Sequence, residues 1–142
     1  MLSYVRTAAL SIAGILISLA STLLGGFDML LQTLVVFMVI DFCTGWLAAA
    51  VFNCSDKTPT GRLSSVACFH GLIKKAASLM IIIVAVYLDA LFGTAGLTRD
   101  AAIIALSLNE LLSIIENMGC IGIKIPAPIV NAMDLLNKSK KK

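Results

Sequence analysis

Four long apolar runs, separated by short links or polar stretches, divide the sequence. A helix needs roughly 20 mostly apolar residues to cross the bilayer core, which is about 30 Å thick. Each run comes close to that length, so each predicts a transmembrane helix. The predicted spans cover residues 7–26, 29–52, 76–92 and 101–123.

The connections between the runs predict how the helices alternate. Residues 25–28 form so short a link that the first two spans should make an antiparallel hairpin, and residues 93–100 form a second tight link. The polar stretch 53–75 predicts a longer loop that carries a short interfacial helix. A three-span arrangement, with the first run re-entrant or lying in the interface, is the alternative.

The carboxyl-terminal part is predicted to lie outside the bilayer core. Pro126 and Pro128 end the fourth span. Beyond them a near-helical spacing of apolar residues predicts a short amphipathic segment at the membrane surface, formed by Ile129, Val130, Met133 and Leu136. We predict an all-α integral membrane protein with one transmembrane domain over residues 1–137 and a disordered basic tail at 138–142.

Composition and charge support this interpretation. Of the 142 residues, 59% are hydrophobic and 13% are charged, whereas soluble domains carry about a quarter charged residues. With four spans, every Lys and Arg except Arg99 falls on one side of the membrane. The positive-inside rule makes that side cytoplasmic, with both termini there. The tail is typical of a membrane-surface segment and not of a nucleic-acid-binding face.

Several lysines are predicted to contact anionic lipid headgroups at the cytoplasmic surface, where each basic residue contributes about 1 kcal/mol. This set comprises Lys74, Lys75, Lys138, Lys140, Lys141 and Lys142.

Asp41 lies near the middle of the second span, about 18 Å along the helix from Met29 at 1.5 Å per residue. A carboxylate at that depth costs on the order of 3 kcal/mol or more, so it should face protein or water. Its helical face also carries small residues that permit close helix contact, namely Thr44, Gly45, Ala48 and Ala49. We predict that Asp41, Thr44 and Gly45 act in assembly or gating. The alternative is a protonated or hydrogen-bonded packing role for Asp41.

The first span carries a matching row of small residues, which predicts that the first two spans pack together.

The fourth span carries a polar stripe within an arc of roughly 120° at about 100° per residue. The stripe includes Asn109, Glu110, Ser113, Glu116 and Asn117. Three interpretations are open: the stripe lines or gates an aqueous lesion, it joins helices, or this helix lies partly in the interface.

Nothing in the sequence predicts catalysis, a cofactor or a metal. His70 is the only histidine, and the sequence has no phosphate-binding Gly-rich loop, HExxH or GxSxG motif. The four cysteines lack CxxC spacing and are predicted to be ordinary buried or interfacial thiols, with neither metal nor disulfide bonds. They are Cys43, Cys54, Cys68 and Cys120.

Three segments carry a family resemblance. The first is DFCTGWLAA at residues 41–49, and the second is Ser64-Ser65 followed by Gly71 and the Lys74-Lys75 pair. The third covers residues 109–126, from Asn-Glu through Glu-Asn to Ile-Pro. In order and spacing they resemble the phage holin family that includes the clostridial toxin-secretion holins. Lys124 departs from the pattern, which has an apolar residue there.

This resemblance implies a protein that accumulates in the bacterial cytoplasmic membrane, assembles with copies of itself and opens a hole at a set time. The hole would release endolysin, causing host cell lysis, or a large protein toxin. From the residues of the fourth span we predict that Glu110, Glu116 and Asn117 form the hydrated or subunit-contact face. Two other classes are open: a small four-helix transporter that exchanges protons for a cationic substrate, and an antiholin regulator. The first span lacks the carboxylate expected of such a transporter.

Overall fold

The computed structural model describes residues 1–55, 57–58 and 60–131, without the side chains of residues 2 and 3. The predicted tail, and Met133 and Leu136 of the predicted amphipathic segment, lie outside the described residues. Within the described part the long elements are four α-helices: α1 (Leu2–Leu23), α2 (Met29–Ala50), α3 (Ser65–Phe92) and α4 (Leu97–Cys120). A short helical turn follows at 127–131. The predicted all-α class is therefore confirmed.

All four helices are long and apolar enough to cross a membrane. α3 differs most from its predicted span, because it begins at Ser65 and not near residue 76. Ser64 starts it early by accepting a hydrogen bond from the Ala67 backbone N–H at 3.4 Å. Residues 65–75, which were predicted to belong to a loop, are thus the first turns of a 28-residue helix.

α4 begins at Leu97, before the predicted start at 101, because a residue of the preceding helix caps it. The buried Asp89 of α3 accepts hydrogen bonds from the backbone N–H groups of Thr98 at 2.9 Å and Arg99 at 2.8 Å. Free N–H groups at a helix start favour an acceptor of negative charge. Asp89 therefore fixes the angle at which α4 leaves α3.

The hydrophobic core lies where α4 packs against α2 and α3. Its largest fully buried side chains are Leu31, Leu34, Ile82 and Ile103. In each of the three helices these residues lie toward the end where the short links connect the helices. The opposite half of the bundle buries apolar residues such as Ala48 and Leu112 together with the polar Asp41 and Asn117.

α1 is separate from this core, because every side chain from residue 4 to residue 20 is exposed. The prediction that the small-residue faces of the first two spans pack together is therefore wrong for the single chain. The small face of α2 is occupied by α4, with Ala48 fully buried and Asn117 lying against Gly45. The exposed length of α1 is left to lipid or to another protein.

Candidate functional site

A polar cluster joins the three packed helices, and we define it as Asp41 of α2, Lys75 of α3, and Glu110 and Asn117 of α4. The Lys75 ammonium lies 2.8 Å from Asp41 Oδ2 and also donates to the Glu110 carboxylate. Asn117 donates from Nδ2 to Asp41 Oδ1 at 3.0 Å. All four side chains are largely withdrawn from the protein surface.

Helix periodicity brings these residues together. Glu110 and Asn117 are seven positions apart, which is close to two helical turns, so both side chains lie on one face of α4. On α2, Thr44 lies one turn beyond Asp41, and its hydroxyl accepts a hydrogen bond from Asn117 Nδ2 at 3.2 Å. The small residues of α2 allow α4 to approach closely enough for these contacts.

The charges of the polar cluster are balanced with the help of the loop that follows α2. Lys57 Nζ lies 3.9 Å from Asp41 Oδ1 and donates to Ser113 Oγ at 3.4 Å. Its side chain is 52% exposed, whereas that of Lys75 is 14% exposed. Two carboxylates therefore face two ammonium groups, of which Lys75 is the buried one. Removing a buried partner is costly, because the remaining charge has no compensation.

Asp41 of the polar cluster lies deep in the membrane-spanning part of α2. At 1.5 Å per residue, Asp41 is about 18 Å from the start of α2 and about 14 Å from its end. These two distances place it near the middle of a hydrocarbon core about 30 Å thick. Ionised groups at that depth are tolerated when they pair with each other or face water.

A polar cavity of about 390 Å³ lies beside the polar cluster, between the first half of α3 and the second half of α4. Asp41, Lys75 and Glu110 line it, together with other polar residues that include Lys57, His70, Lys74, Asn109 and Ser113. Water needs a site that is both roomy and lined by several polar groups, and this cavity has both properties. The cavity is therefore able to bring water to the ion pairs.

The predicted polar stripe of α4 is divided by the fold. Glu110 and Asn117 face the interior and belong to the polar cluster, and Ser113 is partly buried. Asn109 is exposed beside the polar cavity, and Glu116 is exposed without lining it. In the single chain, the stripe therefore contributes mainly to contacts between helices, and Glu116 is the acid that it presents outward.

Lys75 is a correction to the predicted membrane-surface set. Its side chain points into the bundle, whereas that of the adjacent Lys74 is exposed. Neighbouring residues on a helix point about 100° apart, so one lysine of the pair can face inward while the other faces outward. The predicted spans contain two acids, Asp41 and Glu110, for which the sequence suggested no basic partner. That feature could have identified Lys75 as the partner of both.

A second group of charges, which we call the Arg99 cluster, joins the two short links at the opposite end of the bundle. The nearly buried Arg99 guanidinium contacts Asp28 at 2.7 Å and Asp100 at 2.9 Å. It also donates to the backbone carbonyls of Leu24 at 2.7 Å and Gly26 at 3.0 Å. The hydrogen bond from Arg99 lowers the pKa of Asp28 from its ordinary value, and the N–H of Leu31 adds to this effect.

Gly25 shows how closely the chain approaches Arg99. Its φ of 79° lies in the left-handed region, and a Cβ placed there would lie 2.8 Å from Arg99 Nε. A side chain at this position would therefore be strained and would displace the guanidinium. Gly25 is therefore needed for the contacts of the Arg99 cluster.

The cysteines give a further correction. Cys54, just beyond α2, and Cys120, the last residue of α4, form a disulfide with a Cα–Cα distance of 5.9 Å. That distance lies in the normal range for a disulfide. Cys43 and Cys68 are free thiols, as predicted. The prediction was wrong for the first pair because residues 66 positions apart are joined only by the tertiary packing of α2 on α4.

The close contact at Gly45 leads to a stability prediction. A Cβ at Gly45 would lie 3.4 Å from Asn117 Nδ2 and 3.6 Å from Lys57 Nζ, so the Leu side chain of Gly45→Leu must push α4 away. We expect a loss of about 1–3 kcal/mol in the free energy of unfolding, measured by denaturant titration in detergent micelles. Gly71→Leu on α3 is the control, since nothing lies within 4 Å of its Cβ position. Equal effects of the two substitutions would contradict the prediction.

The helices and their buried polar contacts define a multi-pass α-helical membrane protein. Residues 18–138 match the model of the bacteriophage holin family. The chain therefore belongs to the bacteriophage holin family, as its three sequence segments predicted, and this membership supports a holin-like role.

Several phage and bacterial proteins are similar to the chain over most of its length. A probable holin of Bacillus phage phi105 is 31% identical over 106 residues, which cover 75% of this chain and 73% of the relative. An uncharacterized protein of Listeria monocytogenes is 38% identical over 77% of this chain and 72% of its own length. An uncharacterized 14.9 kDa protein of Clostridium perfringens is 30% identical over 98% of this chain and 97% of its own length. No solved structure matches the chain.

Proposed function

We propose that the protein permeabilises the bacterial cytoplasmic membrane as a homo-oligomer and so releases a cell-wall hydrolase or a large protein toxin. The observation that carries the proposal is the polar cluster: a chain of the holin family holds two carboxylates and a lysine together near mid-bilayer depth. This arrangement is stable when closed and becomes strongly hydrated once water reaches it.

In the closed chain the charges of the polar cluster compensate one another. Moving α4 away from α2 and α3 separates Glu110 and Asn117 from Lys75 and Asp41. Lipid is a poor solvent for the separated charges, because each costs about 2.5–3.5 kcal/mol at the bilayer centre. Water or polar groups of neighbouring copies remove most of that cost. Opening is therefore favourable only where several copies open together around water.

The exposed face of α1 supports association between copies. Its small residues Ser11, Gly14 and Ser18 are all exposed, and they permit close backbone approach between helices in lipid. Glu116 on α4 is likewise exposed, and an acidic side chain on a membrane-spanning helix gains from a polar partner. These two surfaces are the ones that we assign to contacts between copies.

The orientation that we propose places both termini in the cytoplasm. The two short links meet at one end of the bundle, where Arg99 contacts Asp28 and Asp100. This pairing neutralises the one basic residue on that side, so it does not oppose the positive-inside rule. Lys74, the loop after α2 and the tail at 138–142 then lie on the side of the anionic cytoplasmic leaflet, where their charge favours binding to lipid.

The first test is induced expression in a bacterium that contains a folded cytoplasmic reporter enzyme. We expect abrupt loss of viability and release of the enzyme, because the proposed lesion does not select its cargo. A transporter would instead give a saturable flux that depends on a small substrate. An antiholin would leave the cells intact and delay lysis by a co-expressed holin. Either of these results would refute the proposed function.

A second test concerns the onset of permeabilisation in the same cells. Asp41→Ala removes the acceptor shared by Lys75 and Asn117, so we expect earlier onset. Glu116→Leu removes the exposed acid from the surface assigned to copy contacts, so we expect delayed onset. Ala105→Leu is the control, since Ala105 is exposed on the same helix and carries no polar group. Normal onset in both test variants would contradict the roles assigned to Asp41 and Glu116.

A further inference from the structure

The disulfide between Cys54 and Cys120 joins the two helices whose contact holds the polar cluster. Cys54 lies four residues beyond the end of α2, and Cys120 is the last residue of α4. Asn117, which donates to Asp41, is one helical turn before Cys120. The bond therefore closes the same α2–α4 interface that the proposed opening must separate.

Whether this disulfide stays oxidised depends on the side of the membrane on which it lies. Cys54 and Cys120 lie at the end of the bundle that carries Lys57 and the long loop, which the proposed orientation places in the cytoplasm. Glutathione and thioredoxin keep cytoplasmic thiols reduced, so a disulfide there is formed and broken in response to conditions. Both cysteines are partly exposed and so accessible to small reagents.

We propose that Cys54 and Cys120 are a reversible oxidation site: a small-molecule disulfide oxidises the pair, and the resulting bond holds α4 on α2 and blocks opening. The proposal rests on the permeabilising function and the orientation given above. It adds to that function a site of covalent modification whose reagent is a small-molecule disulfide. It also predicts that the bundle is free to open when the cytoplasm is reducing.

The chemistry is a thiol–disulfide exchange in two steps. The thiolate of one cysteine attacks a sulfur of the reagent disulfide, forming a mixed disulfide and releasing one reagent thiolate. The second cysteine thiolate then attacks the protein sulfur of that mixed disulfide and releases the other reagent thiolate. The two protons from the cysteine thiols end on the two reagent thiols. Two protein thiols are oxidised and one reagent disulfide is reduced.

The two free cysteines of the chain provide matched controls. Cys43 is exposed on α2 and Cys68 is partly exposed on α3, and neither is bonded to another cysteine. Cys43→Ser and Cys68→Ser therefore remove a thiol without touching the proposed site. The double variant Cys54→Ser/Cys120→Ser removes the site and keeps the other two thiols.

The experiment uses the full chain reconstituted in phosphatidylglycerol-containing vesicles with a trapped fluorescent dye. Samples are equilibrated with reduced or with oxidised glutathione. We expect dye release from the oxidised wild type to be at least about tenfold slower than from the reduced protein. The two single variants should keep this difference, and the double variant should release dye at the reduced rate under both conditions. An unchanged difference in the double variant would overturn the proposal.

Two further measurements separate failure of this site from failure of the proposed function. After oxidation, tryptic digestion should yield the peptides 7–57 and 100–124 joined by a disulfide. The Cys43→Ser variant should give the same joined product. Amide hydrogen exchange at the end of α4 should be about tenfold slower in the oxidised protein. If no sample releases dye but oxidation still protects α4, the permeabilising function is wrong and the bond between the helices stands. If the peptides do not link, or α4 gains no protection, the oxidation site is wrong.

Discussion

Lys75→Met is expected to lower the free energy of unfolding by about 3–5 kcal/mol, the largest effect that we predict for a single substitution. The substitution leaves Asp41 and Glu110 without the ammonium that both contact inside the bundle. Methionine has a similar length and fills the same space, so the loss reports charge and not volume. The measurement is denaturant unfolding in detergent micelles, followed by circular dichroism.

The neighbouring lysine supplies the control. Lys74→Met changes the same residue type one position away, on an exposed side chain, and should have little effect on unfolding. Adding Asp41→Asn and Glu110→Gln to Lys75→Met removes both orphaned charges and should restore much of the lost stability. A triple variant as unstable as Lys75→Met would show that the ion pairs are not the cause.

Arg99→Gln is expected to cost about 3 kcal/mol, because the guanidinium serves four acceptors at once. It loses its hydrogen bonds to the carbonyls of Leu24 and Gly26 and its ion pairs to Asp28 and Asp100. Hydrogen bonds from charged groups contribute about 1.5–3 kcal/mol each, and the half-exposed carboxylates add less. Arg99→Lys should not rescue the loss, since an ammonium cannot reproduce the planar fork.

The same substitution should change the dependence of stability on pH. The pKa of Asp28 is lowered by Arg99, so the pair stabilises the fold above the unfolded-state value of about 3.9 and is lost as pH falls through the lower folded-state value. We expect the difference between wild type and Arg99→Gln to be constant near neutral pH and to shrink only in strong acid. Arg6→Gln, at an exposed arginine of α1, is the control. A difference that disappears already at pH 5 would contradict this cause.

The class of fold was predictable because lipid imposes strong constraints on sequence. Four apolar runs of spanning length and two links with turn-forming residues were enough to predict a helical membrane protein. Helix starts were less predictable, since Ser64 and Asp89 begin α3 and α4 earlier than the apolar runs do. The position of a helix start depends on a few capping hydrogen bonds, whereas the presence of a spanning helix depends on the average hydrophobicity of many residues.

The partners of the polar residues were not predictable from spacing alone. Asp41 and its small-residue face were identified, but α1 was expected to cover that face, and α4 does so. The pairing of Lys75 with Glu110 and that of Cys54 with Cys120 join residues far apart in the chain. Periodicity states which residues share a face of one helix, whereas tertiary packing decides which face of another helix they meet.

The polar cluster also constrains how the chain enters the membrane during synthesis. Asp41 leaves the ribosome with α2, well before Lys75 arrives with α3, and Glu110 follows only with α4. Until its partner arrives, each charged residue adds an insertion cost of about 2.5–3.5 kcal/mol. The translocon must therefore retain or hand over the earlier segments until the last helix is made, so that the three helices enter lipid with Asp41 and Glu110 already paired with Lys75.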